Sequence, residues 1–153
     1  MDAAFDLADD FLPVDTVLAQ SWSDDEEPEP VHARHDDPYT VPLVLMIDEH
    51  TASAAEIFAA TLQHHGRAVV IGSRSLGKTT AHRVVLDSDG EPLYVPVCEY
   101  RRPDGSRIQG RGVEPDVLAA NMSSDRVAVE VAAAHRGSRP FCFQPQPEPS
   151  RTA

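Results

Sequence analysis

The chain has 153 residues, 41% of them hydrophobic, which suffices for one core and is too short for two independent domains. Its 25 acidic residues outnumber 13 Lys and Arg, and the net charge of -12 excludes a nucleic-acid-binding surface and disfavours any anionic partner. Cys98 and Cys142 lie in unlike contexts that indicate neither a disulfide framework nor a metal pair, no stretch approaches the ~18 apolar residues of a membrane span, and the opening MDAAFDLADDF lacks the basic and apolar regions of a signal peptide.

In chain order, residues 3–11 place Ala4, Leu7, Ala8 and Phe11 at helical spacing, and Pro13 follows as a stop, so a short amphipathic helix is expected. Residues 14–19 (VDTVLA) read as a strand. Residues 23–38 (SDDEEPEPVHARHDDP) are too acidic and proline-containing to pack and read as a solvated loop. Residues 42–48 (PLVLMID) form a continuous apolar run, the pattern of a strand buried on both faces. Residues 54–65 (AAEIFAATLQHH) then repeat apolar side chains at Ile57, Phe58 and Leu62 and stop at Gly66, a helix with a good terminator. Residues 68–71 (AVVI) are a second buried strand. After the loop GSRSLGK, the stretch HRVVLD, the turn SDGE and the run PLYVPVCEYRR predict a hairpin that ends at the turn PDGS. A last helix is expected at 124–135 through Val127, Val131 and Ala134. The chain thus divides into one domain over 1–137 and a proline-rich, disordered tail over 138–153.

Two motifs compete for Lys78. Residues 72–79 (GSRSLGKT) fit the phosphate-binding pattern GxxxxGK(S/T) at every fixed position, and Asp48 at the end of the preceding apolar run would suit a nucleotide-bound magnesium ion. That pattern works only where the loop opens into a helix, whereas the residues after Lys78 (TTAHRVV) favour a strand. The candidate magnesium carboxylate also precedes the loop, against the usual order. Nucleotide binding is kept as a third reading. The other motif is TASAAE, in which Ser53 and Glu56 have the spacing of a capping box. A serine at a helix start after one buried strand and a lysine on a glycine-containing loop after the next would converge at the carboxyl end of a parallel sheet, where active sites of open α/β folds gather.

At this point the sequence resembles a known family. The run PLVLMIDEHTASAAEIFAATLQHHGRAVVIGSRSLGKT is similar to the nucleophile and base region of the tail-specific, or C-terminal processing, serine peptidases, and the 25-residue spacing from Ser53 to Lys78 agrees with their pattern. Residues 99–117 (EYRRPDGSRIQGRGVEPDV) resemble the strand, turn and Gly-x-Gly-x-x-Pro-Asp run that close that family's catalytic domain, and Asp10, Phe11, Leu12 and Pro13 resemble the end of its helix before the acidic loop. The resemblance spans residues 4–118. It implies an α/β fold with a crotonase and Clp-protease-like layered sheet and helix core, a C-terminal β-hairpin and a terminal helix. It also implies hydrolysis of peptide bonds near protein C-termini with no metal or cofactor, a polypeptide substrate with an unstructured C-terminus, and a location outside the cytoplasm.

The chemistry implied is a dyad of Ser53 as nucleophile and Lys78 as general base. A lysine takes a proton only when neutral, and for an ordinary lysine of pKa about 10.4 neutrality at pH 7 costs about 4.6 kcal/mol. Leu76 and the buried strand before it are expected to supply the burial that reduces this cost. The amide of Ala54 at the helix start is the expected first oxyanion donor. The family's second donor comes from a glycine in an Asn-Pro-Gly-Gly-like motif that the 153 residues do not contain, nor do they contain its PDZ module, so the chain reads as a catalytic-core fragment. Where the family carries a glutamine that orients the dyad, four residues past the lysine, this chain has His82, a supporting position or a plain strand-surface residue. His64 and His65 read as surface residues and not as metal ligands. The alternative function is a homologue that binds peptides or partners without cleaving them.

Overall fold

The computed structural model describes residues 2–23, 26–119, 128–130 and 132. Helix α1 (Asp2–Asp9) turns Ala4 and Ala8 inward, and after Leu12 and Pro13 the chain enters strand β1 (Val17–Trp22), paired antiparallel with β2 (Glu29–His32). Strand β3 (Leu43–Ile47) leads into helix α2 (Ala54–His64) and back through β4 (Ala68–Gly72), a right-sized βαβ unit whose strands pair in parallel from Leu43 opposite Ala68 to Ile47 opposite Gly72. Strands β5 (Thr80–Leu86) and β6 (Pro92–Arg101) form the expected hairpin, and β7 (Val117–Leu118) returns to pair in parallel with β4. The result is an α/β fold with two sheets, one antiparallel in the order β2-β1-β6-β5 and one parallel in the order β3-β4-β7.

Helix α2 is the centre of the packing. Its Leu62 joins Ala8, Leu12, Leu18, Ala33 and Ala68 in one core cluster, while Ala59 and Ala60 lie with Ile47, Val70, Ile108 and Val113 in another. The two alanines present no bulk, so α2 seats closely on the parallel sheet. The buried Thr61 hydroxyl sits 2.6 Å from the Leu18 carbonyl and 2.7 Å from the Ile57 carbonyl, which ties α2 to β1 without an unpaired polar group. The half-buried Arg67 guanidinium donates to the carbonyls of Phe11 (3.1 Å), Tyr39 (2.6 Å) and Val41 (2.9 Å), anchoring the loop that crosses to β3.

Several expectations need correction. The first strand begins at Val17 and not at residue 14, because Asp15 takes a positive φ of 66° and turns the chain there. Residues 29–32, expected in a solvated loop, form β2: its side chains stay mostly exposed, and backbone pairing to β1 needs no apolar ones. Strand β3 is not buried on both faces, since it is the edge of its sheet; Met46 is 53% exposed and only Ile47 is buried. His64 and His65 are half-buried and not superficial, His65 Nε2 lying 2.7 Å from the Val17 carbonyl oxygen. Of the helix expected at 124–135, residues 128–130 and 132 are helical. The rest of it, and the tail at 138–153, lie outside the described residues.

Candidate active site

The parallel register places Ile47 beside Gly72, so the β3–α2 turn and the β4–β5 loop leave the same end of the sheet. The first of these is built on Asp48, whose Oδ1 accepts from the amides of His50 and Thr51 at 3.0 Å each. The His50 amide first, then the Thr51 hydroxyl, which donates to the same oxygen at 3.1 Å, and the Thr51 amide hold the exposed Asp48 carboxyl below its ordinary value. The two segments are stitched by the Leu76 amide, which donates to the Thr51 carbonyl at 2.9 Å.

Ser53 is the N-cap of α2, half-buried, with φ 59° and ψ -124°. That region favours glycine, and a serine held in it stores on the order of 1–3 kcal/mol. The Glu56 amide donates to the Ser53 carbonyl at 3.0 Å, and the Ser53 amide donates to Glu56 Oε2 at 3.0 Å. The Ser53 hydroxyl sits over the same turn in the placement of a capping box without closing a hydrogen bond as a cap. Next to it Ala54 is the first helical residue, and its amide has no intrahelical partner by position.

Glu56 is fully buried, which a helix cap alone does not require. Its Oε2 also accepts from the Lys78 amide at 2.7 Å, while its Oε1 accepts from the Gly77 amide and the Ser75 hydroxyl. One carboxylate oxygen therefore receives the amides of both Ser53 and Lys78. The Ser75 hydroxyl in turn accepts from the Val113 amide at 2.7 Å. Beyond Lys78, Gln109 Oε1 accepts from the amides of Thr79 at 2.7 Å and Thr80 at 3.1 Å.

The glycines of the downstream run explain themselves here. A Cβ on Gly112 (φ 75°) would overlap the Ser75 carbonyl, and one on Gly77 (φ 83°) would meet the Gly110–Gly112 backbone amides, so the two loops touch backbone to backbone. The Gly110 amide closes this contact on the Gly77 carbonyl at 2.8 Å. Asp116, from the Pro-Asp pair, accepts from the Val70 amide at 2.8 Å and from Gln63 Nε2 at 3.0 Å, fixing the end of the run to β4 and α2.

The structure thus brings the backbones of Ser53 and Lys78 together. It does not give Lys78 the expected cover: Lys78 is exposed and Leu76 is 56% exposed, because the loop turns Leu76 outward where no described element packs. His82 stands exposed on β5, beyond a register irregularity at Ala81 and His82, with no hydrogen bond or ion pair to Ser53 or Lys78. The phosphate-loop pattern opens into β5 and not into a helix, and its Gly77 and Lys78 amides already hold an internal anion. No group of three or more His, Cys, Asp or Glu side chains fit for a metal ion occurs among the described residues. Sequence reasoning saw Glu56 only as a cap and did not single out Ser75 or Gln109; their partners are mostly backbone amides far along the chain, and the one available signal was that Ser75 and Gln109 lie inside or beside glycine-containing runs.

The sequence profile of peptidase family S41 matches residues 1–119. Among curated relatives, the chain is 34% identical over 100 residues to the carboxyl-terminal-processing peptidase 3, chloroplastic, of Arabidopsis thaliana, covering 65% of this chain and 19% of that protein. It is 29% identical over 119 residues to the carboxy-terminal processing protease CtpA of Bacillus subtilis, covering 78% of this chain and 26% of that one. Among solved structures it is similar to a photosystem II D1 C-terminal processing protease, with a TM-score of 0.71 and 29% identity over 78% of this chain and 31% of that one. The chain spans about a fifth to a quarter of the length of these curated relatives.

Proposed function

The chain belongs to peptidase family S41, and from that premise we propose that it carries the catalytic segment of a serine peptidase that hydrolyses peptide bonds near the C-termini of polypeptides, with Ser53 as nucleophile and Lys78 as general base. The observation that carries this reading is the strained Ser53 at the start of α2 with its amide on the same Glu56 oxygen as the amide of Lys78. Such backbone strain at a serine on a strand-to-helix turn is a device for presenting a nucleophile.

In this reading Ser53 Oγ forms a bond to the scissile carbonyl carbon while its proton passes to Lys78 Nζ. The Ala54 amide, at the positive end of α2, faces the oxygen that gains charge. Collapse breaks the C–N bond, the leaving amine takes the proton from Lys78, and water then hydrolyses the Ser53 ester. A polypeptide lying over the exposed Leu76 and Lys78 supplies the apolar cover that a lysine base needs. His82 is kept as a supporting position, and the location outside the cytoplasm implied by the resemblance belongs to the same proposal.

Cleavage of fluorescent casein tests it. The 153-residue chain is expected to act slowly, because one absent oxyanion donor costs ~10²- to 10³-fold. Fusion of an upstream segment bearing an Asn-Pro-Gly-Gly motif is expected to raise the rate, and Ser53→Ala and Lys78→Ala to abolish it. A rate unchanged by Ser53→Ala sinks the reading. The exposure of Lys78 favours one second reading, a domain that binds peptides without cutting them, and binding without cleavage by the fused chain would select it.

A further inference from the structure

Glu56 is a buried carboxylate that receives four donors and has no Lys, Arg or His in ion pairing with it among the described residues. Removing a carboxylate from water is costly unless its lone pairs are filled, and here they are filled wholly by neutral donors. A capping role explains one of them, the Ser53 amide. The other three all come from residues 75–78, the segment that ends at Lys78. Each oxygen also takes two donors, so a turn of the carboxylate displaces the helix start and the loop together.

Resting on the dyad reading above, we propose that Glu56, braced by Ser75, is the positioning residue that sets Ser53 and Lys78 relative to each other. The brace follows from the Ser75 hydroxyl, which donates to Glu56 Oε1 and accepts from the Val113 amide at 2.7 Å, so that the carboxylate is pinned to the Gly110–Val113 loop as well. This arrangement also accounts for the loop's match to the phosphate-binding pattern. A turn that collects amides and a hydroxyl around an anion serves both uses, and in this chain the carboxylate is supplied by α2.

The substitution Glu56→Gln keeps size and shape but sets an NH₂ against donors, so at least one pair of partners loses its acceptor. Two readouts on the full 153-residue chain follow. Backbone amide hydrogen exchange by NMR is expected to show lost protection in Glu56→Gln at Gly77 or at Lys78, whichever faces the new NH₂, with Thr79 and Thr80, held by Gln109, unchanged. Reaction of Ser53 with a fluorophosphonate is expected to fall about 10²-fold in maximal rate constant, as for an ångström-scale misplacement, with the half-saturating concentration and the final labelled fraction preserved. Ser75→Ala, which leaves the carboxylate in place, is expected to produce a smaller loss of the same kind and carries the test if Glu56→Gln does not fold.

A Glu56→Gln or Ser75→Ala chain that labels at the wild-type rate, or loses exchange protection at Ser53 alone, overturns the positioning role and leaves the dyad standing. A lower labelled fraction at an unchanged rate does so too, since that is loss of folded protein. No Ser53 adduct in the wild-type chain overturns the dyad reading itself and the positioning proposal with it.

Discussion

Ser53 occupies a backbone conformation that favours glycine, and the consequence is measurable apart from any activity. Ser53→Gly removes the strain and Ser53→Ala retains it, so the glycine variant is expected to be about 1 kcal/mol more stable than the alanine variant in urea unfolding, although glycine loses more freedom on folding. Equal stabilities, or a more stable alanine variant, would mean that the conformation carries no strain. The sequence made Ser53 and Lys78 legible through their spacing and flanking runs. It made Glu56 legible only as a cap, because the Ser75, Gly77 and Lys78 donors lie 19 to 22 residues away and two of the three are backbone amides that no side-chain pattern reveals. The exposure of Lys78 was not legible either: Leu76 is apolar in the sequence, and which way a loop side chain turns is decided by what packs over it.

At the level of elements, strand β6 carries the clearest electrostatic anchor. The Arg107 guanidinium first, then Arg101, hold the Glu99 carboxyl below its ordinary value against the opposing effect of burial. Both Arg107 Nε, at 3.0 Å, and Arg101 Nε, at 2.9 Å, donate to Glu99 Oε1. A carboxyl lowered in the folded state adds stability above its unfolded value and loses it as pH falls through the folded value. Glu99→Gln is therefore expected to lower the stability at pH 7 and to differ less from wild type as pH drops below about 4.3, the ordinary glutamate value. A stability difference independent of pH from 7 down to 3 would assign the loss to packing. The βαβ unit and the hairpin were readable from periodicity, since each apolar run is short and is bounded by proline, glycine or an acidic turn residue. Strand β2 was not, because its four residues (EPVH) pair by backbone alone, and edge status, which decides how β3 is buried, is a property of the sheet and not of the strand.

The whole molecule joins two loops at one end of a parallel sheet through the buried Glu56 carboxylate and the Leu76–Thr51 backbone bond, and a third segment, Gly110–Val113, closes on the second loop backbone to backbone. Under the dyad proposal, this junction makes Ser53 a nucleophile served by Lys78. The most direct measurement is to react the chain with a fluorophosphonate at pH 7 to 10, locate the adduct by peptide mass mapping, and compare wild type with Lys78→Met. One adduct, on Ser53, is expected, with at least about 10²-fold slower labelling in Lys78→Met, the contribution of a general base. An adduct elsewhere, or equal rates in the two chains, would contradict the proposal.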